Sequence, residues 1–311
     1  MSDASVHAEA TASHAPFHVE RKAPETPLVD ILGGDARREI KVHDHGLVAL
    51  VDVMPRLVPQ GKTADFAIVQ AARVSYGEGT KQVNEDRGLI RYLARHRHTT
   101  PFEMVEFKFH HVMPIFVARQ WIRHRTANVN EYSARYSVVR ERFYRPTPQA
   151  VRQQSVTNRQ GGSEPIDPAT AEEFLAYLDQ AEALYGPYEK LLEKGVSREL
   201  ARIGLPLSCY TEWYWKIDLH NLFHFLALRM DRHAQQEIRD YATAMFELIR
   251  PIVPLATEAF EDYRLHAVTL SRLEIEALRS GKPLASSNRR EVAEWEDKRR
   301  LLGLDRPDDA K

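Results

Sequence analysis

The sequence predicts an α+β fold, an antiparallel sheet flanked by helices in a single domain. Three patterns carry this expectation. Residues 105–110 alternate apolar and polar side chains strictly, as a half-buried strand does. Residues 84–96 repeat Leu89, Ile90 and Leu93 at helical spacing, with arginines on the other face. Strand-like and helix-like segments do not alternate as βαβ units, which disfavours a doubly wound parallel sheet.

In chain order, residues 1–35 are rich in Ala, Ser, His and Pro, have no sustained apolar period and read as a mobile tail. Gly33-Gly34 is the expected boundary. Alternation around Leu47, Val48 and Leu50 predicts a strand over 46–54. Residues 64–74 have helical period and run into the turn residues Tyr76, Gly77, Glu78 and Gly79. After the strand at 105–110, Pro114 opens a helix through Arg123, because a first helical position needs no N–H. The polar stretch 126–130 reads as a loop and 132–139 as extended chain. Residues 153–168, with Gly161-Gly162, read as a flexible insertion. A helix over 169–194, broken at Gly186-Pro187, precedes a short one at 198–203. The aromatic-rich segment 209–217 suggests a strand. Two helices follow over 218–230 and 233–256, the second kinked by Pro251 and Pro254. The charged end, 271–311, shows little core-forming pattern and reads as an extension of a domain spanning 36–270.

Of the 311 residues, 43% are hydrophobic and 28% charged, the make-up of a soluble globular protein. No apolar run approaches the roughly 18 residues that span a bilayer. Residues 1–14 lack a basic segment followed by an apolar one, and Asp3 and Glu9 without arginine argue against a transit peptide, so a cytoplasmic location is expected. Cys209, the lone cysteine, excludes an internal disulfide and suits a reducing compartment. Net charge is −1, from 43 basic and 44 acidic residues, which gives no support for a nucleic-acid partner. Seven arginines nevertheless lie between 119 and 145, against only Glu131 and Glu141. That concentration points to small anionic ligands, with a solvated basic face as the alternative.

Two other function classes are disfavoured. None of the 14 histidines falls in an H-E-x-x-H pattern, and His110 and His111 on a strand point to opposite faces, so a metal-dependent hydrolase is not expected. RNA binding through the arginine cluster, with Trp121, Tyr132, Tyr136 and Phe143 as stacking partners, fits poorly with the neutral balance.

Gly77-Glu78-Gly79 lacks a third glycine in register, so both the dinucleotide fingerprint and the Walker loop are absent. Nucleotide phosphates must then be held by side chains and local backbone. The decisive run is Gln120-Trp121-Ile122-Arg123-His124-Arg125, then seven residues, then Ser133-Ala134-Arg135. Two arginines flanking a histidine at a helix-to-loop junction offer forked donors to phosphate oxygens. Ser133, Arg135 and the amides around Ala134 offer a second cradle. Glu131, acidic between two anion sites, fits acceptance from a ribose hydroxyl or a ring N–H. This run resembles the Arg-His-Arg-x7-Ser signature of the flavin-dependent thymidylate synthases. The likeness extends to residues 98–103, 114–121, 198–202 and 228–235, in the family's order, and covers about residues 43–265.

The resemblance implies reductive methylation of dUMP to dTMP with FAD, with NADPH as reductant and 5,10-methylenetetrahydrofolate as carbon donor. It implies a homotetramer whose active sites are shared between subunits. It puts Arg123, His124 and Arg125 on FAD, with Thr100 and Glu131 nearby and a second flavin segment at Asp218, His220 and His224. There the chain departs from the family, which has Asn, Arg and Asn at those three positions. Around dUMP the resemblance implies Gln120, Arg123, Glu131, Ser133, Ala134, Arg135 and Arg202. Arg229, also at dUMP, would be the catalytic residue that activates the uracil ring. His98 is a candidate contact for the folate or the nicotinamide.

At about 100° per residue, His220 and His224 share one helix face and Arg229 lies roughly 140–180° from them. Such a helix serves flavin on one side and dUMP on the other; the alternative makes both histidines core residues beside Leu222, Phe223 and Phe225. Cys209 has no neighbouring base to lower its pKa and reads as a buried apolar residue. Ser133 has no evident base partner either and reads as a contact rather than a nucleophile. The chemistry therefore falls on electrostatics. An arginine at the pyrimidine N3/O4 edge stabilises negative charge on the ring and pushes electron density onto C5.

Overall fold

The computed structural model describes residues 26–34, 38–74, 86–155 and 161–304. The chain enters through β1 (Leu28–Asp30), β2 (Arg38–Val42), β3 (Gly46–Met54) and β4 (Leu57–Pro59), then α1 (Asp65–Val74), α2 (Asp86–Arg95) and α3 (Thr100–Glu103). Next come β5 (Glu106–Pro114), α4 (Ile115–Trp121) and β6 (Asn128–Glu131). A small hairpin, β7 (Arg152–Gln154) and β8 (Gly162–Pro165), leads to α5 (Pro168–Glu182), α6 (Tyr185–Glu193) and α7 (Arg198–Ala201). The rest is β9 (Tyr210–Asp218), α8 (Leu219–Arg229), α9 (Gln236–Ile249), α10 (Pro254–Phe260), α11 (Arg272–Ser280) and α12 (Arg289–Leu301).

The central sheet runs β2-β3-β5-β9-β6, every neighbouring pair antiparallel. Its registers pair Phe107 with Ile217, Phe109 with Trp215 and His111 with Trp213. Strand alternation sends these residues to one face, which α8 and α9 cover. From α8 come Leu219, Leu222, Phe225 and Leu226; from α9, Ile238, Tyr241, Met245 and Ile249, all buried. Trp121, at the end of α4, is the keystone, with its ring 4.7 Å from Phe225 and 5.5 Å from Trp215. Burying one such side chain stabilises by about 1.5–3 kcal/mol, so this aromatic cluster fixes α4 and α8 against β9. His111 is buried in the same core as a neutral ring, held well below the usual imidazole range by burial, with its Nδ1 accepting from Trp213 Nε1 at 3.2 Å. His110 faces the other way and stacks on Tyr214 at 5.0 Å.

The expected α+β class and the strands at 46–54, 105–110 and 209–217 are all present, the middle one extended to Pro114. Other expectations are corrected. Residues 128–130 of the expected loop 126–130, with Glu131, form the exposed edge strand β6, which is held by backbone pairing to β9 and needs no apolar alternation. Residues 132–139 are not extended; Tyr136 and Ser137 both donate to Ser133 O at 3.1 Å in a tight turn. The helix break falls at Ala183 and Leu184 rather than at Gly186-Pro187, because a proline in a first turn removes no helical bond. The expected 233–256 helix is two helices, since Pro251 cannot continue α9 and Pro254 starts α10. Buried Asp65 caps that second start, accepting from Leu255 N at 2.9 Å and Ala256 N at 3.0 Å.

Parts of the expected tail and extension are structured. Leu28–Asp30 pairs with β4 and Leu32 is buried, so a segment as short as three residues is placed by backbone pairing without an apolar period. In the charged end, Ser271 and Glu274 form a capping box, Lys298 grips Glu274 at 2.8 and 3.0 Å, and Trp295 is buried. The insertion expected at 153–168 contains the β7–β8 hairpin, apart from residues 156–160. The expected turn at Tyr76–Gly79, most of the 1–35 tail and residues 305–311 lie outside the described residues.

Candidate active site

Two cavities flank the junction of α4, α8 and β9. The smaller, about 330 Å³, is walled by Glu131, Ser133, Ala134 and Arg202, with Tyr210 and Thr211 from the start of β9. The turn after β6 builds this wall: Ser133 Oγ accepts from Arg135 N at 3.3 Å, which holds the backbone around Ala134 open to a ligand. Glu131 is oriented by Thr211 Oγ1, which donates to its Oε1 at 2.7 Å. The side chain of Arg202, just past α7, makes no hydrogen bond or ion pair to a described residue, so its guanidinium is free for an anion. Arg135 is not in the wall. Its Nε donates to Glu199 at 3.3 Å with both side chains more than half exposed, an ion pair weak enough to exchange for a phosphate.

The larger cavity, about 630 Å³, takes His220 and His224 from α8 and His98 and Thr99 from the turn before α3. The core alternative for the two histidines is excluded: α8 buries Leu219, Leu222, Phe225 and Leu226, while His224 is exposed. Thr100 itself is exposed at the start of α3, beside the wall rather than in it. Asp218 is also outside. It caps α8, accepting from Asn221 N at 2.9 Å and Asn221 Nδ2 at 2.7 Å, so both carboxylate oxygens are engaged.

His124 lies outside both linings, against the end of α8. Its Nε2 accepts from Arg229 Nε at 3.0 Å, and its ring lies 5.9 Å from that of His224. The helical wheel separates Arg229 from His224, yet one imidazole touches both, because the long last-turn arginine folds back toward α4. There its second nitrogen donates to Gln120 O at 3.4 Å. Burial, then the charges of Arg229 and of His224, hold His124 at a pKa of about 4, so the ring is neutral at pH 7 and can accept from Arg229. Burial also lowers the pKa of Arg229, and no carboxylate among the described residues pairs with it. A half-buried cation without a counter-ion awaits a negative ligand. Gln120 is itself positioned by its amide, which donates to Gln235. Arg123 and Arg125 are exposed and without partners among the described residues.

Cys209 lies in the small cavity's wall but is fully buried, and burial pushes its thiol up to about 12. At neutral pH it is not a thiolate and not a nucleophile. Among the described residues no cluster of His, Cys, Asp or Glu is arranged to hold a metal ion. Thr211 carries no sequence signal as a site residue; Glu199 and Gln235 lie in the matched segments, but their pairing with Arg135 and Gln120 does not show in sequence, because each of the three acts on a partner 64 to 115 positions away.

A family model described as "Thymidylate synthase complementing protein" matches residues 56–255. A flavin-dependent thymidylate synthase of Dictyostelium discoideum is 67% identical over 284 residues, covering 91% of this chain and 94% of that protein. One from Thermus thermophilus is 57% identical over 241 residues, covering 77% and 84%. Among solved structures, a UMP/dUMP methylase PolB from Streptomyces cacaoi, bound with 5-Br UMP, superposes with a TM-score of 0.62 at 34% identity, covering 74% of this chain and 99% of that one. The chain belongs to the flavin-dependent thymidylate synthase family.

Proposed function

We infer that this protein is a flavin-dependent thymidylate synthase that converts dUMP to dTMP, with FAD bound, NADPH as reductant and 5,10-methylenetetrahydrofolate as carbon donor. The observation that carries this reading is the half-buried Arg229, held by His124 and Gln120 and without a carboxylate partner among the described residues. The smaller cavity suits a pyrimidine nucleotide. Free Arg202 and the Ser133 turn, with Arg135 released from Glu199, would hold the phosphate, and Glu131 would accept from the ribose or base. Gln120 and Arg123 complete that set. The larger cavity suits part of a flavin, with His220 and His224 lining it, Arg123, His124 and Arg125 as phosphate donors, and Thr100 and Glu131 at its edge. Asp218 would contribute by fixing the start of α8 rather than by direct contact.

Converting a transferred methylene to a methyl needs two electrons, which FAD supplies when bound and NADPH replenishes. The chain's own task is at the pyrimidine. Arg229 donates to the N3/O4 edge, stabilises the negative charge of the activated ring and so makes C5 nucleophilic. Neutral His124 keeps the guanidinium aimed without competing for that charge. No thiol takes part, because Cys209 stays protonated.

The exposed, partnerless Arg123 and Arg125 and the exposed apolar residues Leu200, Ile203 and Leu207 beside Arg202 support a homotetramer with shared sites. The catalytic domain would span 36–270, flanked by a tail and a charged extension, in the cytoplasm. No helix among the described residues is long and apolar enough to cross a membrane. The test is NADPH oxidation by the purified yellow protein, coupled to a dTMP assay. Turnover that requires dUMP and yields dTMP supports the reading; colourless protein, or oxidation without dTMP, refutes it.

A further inference from the structure

We propose that Arg97 and Arg264 form an anion subsite for the charged tail of a flat aromatic co-substrate, either the glutamate carboxylates of the folate or the 2′-phosphate of the reduced dinucleotide, an inference resting on the functional reading above. Among the described residues, the larger cavity is lined by three guanidiniums, Arg95, Arg97 and Arg264, and by no carboxylate. Arg95 is engaged, donating to Tyr263 Oη at 3.3 Å. The side chains of Arg97 and Arg264 are exposed and make no hydrogen bond or ion pair to a described residue. Neither belongs to the residues assigned above to FAD or dUMP.

Arg97 also occupies a costly position. It follows α2 at the point where the helix closes: Arg97 N donates to Ala94 O at 3.3 Å and His98 N to Leu93 O at 3.0 Å. This is the Schellman pattern, whose left-handed residue is usually glycine. Arg97 sits there at φ +57°, a conformation that costs a residue with a Cβ roughly 1 kcal/mol or more. A cation favours a helix C-terminus, but Arg95 already supplies one in the last turn. The extra guanidinium at a glycine position, aimed along a cavity wall, is therefore explained by a ligand. Stacked Phe223 and Phe260, 4.4 Å apart at 9°, and the Tyr263 ring under Arg91 give the same cavity an aromatic wall for a flat ring. Guanidinium forks match carboxylate and phosphate oxygens alike.

The test measures dissociation constants by calorimetry on full-length, flavin-loaded protein. The probes are mono- and pentaglutamyl 5,10-methylenetetrahydrofolate, NADP+ and NAD+; the variants are Arg97→Gly and Arg264→Gln. Loss of one charge-assisted contact should weaken the cognate ligand about tenfold or more. A loss confined to folates, larger for the pentaglutamate, identifies the glutamate tail; one confined to NADP+, with NAD+ unchanged, identifies the 2′-phosphate. Arg97→Gly should raise thermal stability while weakening that ligand, which a purely structural arginine would not do. Wild-type affinity for all four probes in both variants, or loss of flavin from either, overturns the proposal. These constants are read without turnover, so a wild-type protein that made no dTMP would count against the functional reading and leave the subsite to be judged on binding.

Discussion

Replacing Arg229 with alanine should separate catalysis from folding. In the folded chain Arg229 donates to His124 Nε2 at 3.0 Å and, more weakly, to Gln120 O at 3.4 Å. Losing these bonds destabilises, but the substitution also removes a half-buried cation with no counter-ion among the described residues, whose desolvation opposes folding. The two effects have opposite signs, so the net change should stay within about 1 kcal/mol. Turnover is different. Removing a preorganised donor from developing charge costs about 100- to 1,000-fold, or roughly 2.7–4 kcal/mol of transition-state stabilisation. A third readout is local. Burial is the main cause of the low His124 pKa and the Arg229 charge the second, so the ring should titrate above its present value of about 4 yet below 6.5. The assays are dTMP formation, flavin absorbance and NMR titration of His124. Turnover near that of the wild type, or an unmoved His124 titration, would refute the assignment.

Arg125→Ala removes an exposed guanidinium with no partner among the described residues, so thermal stability should hold while FAD binds about tenfold or more weakly; undiminished flavin absorbance counts against it. Cys209→Ala should retain most activity, because the thiol is pushed up to about 12, and complete loss would revive a sulfur route. Asp65→Ala strips the cap of α10 and leaves two donors, Leu255 N and Ala256 N, unsatisfied at about 1–3 kcal/mol each, to be read as a lowered denaturation midpoint. The folded pKa of His124 lies below its unfolded value of 6.5, so the folded state binds fewer protons. Stability should therefore fall as pH drops from about 6.5 toward 4, less so in Arg229→Ala.

Much of the fold was legible because burial imposes period. Phe107, Phe109, Trp213, Trp215 and Ile217 alternate to one face, and both strands could be read from that alone. The edge strand β6 could not, because its four exposed residues are placed by backbone pairing with β9. The turn at Ser133 was likewise hidden, since it is made by local hydrogen bonds rather than apolar pattern. At the site, motif order brought Glu131, Ser133, Ala134 and Arg202 to one wall and His220 and His224 to another. What the motifs do not contain is the pairing: Thr211 under Glu131, Gln235 on Gln120 and His124 between Arg229 and His224 are contacts made by packing. Asp218 shows the converse, a position matched by sequence whose carboxylate is taken by the helix it caps.

The most direct measurement is a structure of the protein soaked with FAD and dUMP together. Density for the dUMP phosphate against Arg202 and the Ser133 turn, with flavin phosphates at Arg123–Arg125 and Arg229 on the uracil edge, is the predicted result. Both nucleotides bound away from these arginines, or a covalent bond from Cys209 to the pyrimidine, would contradict it.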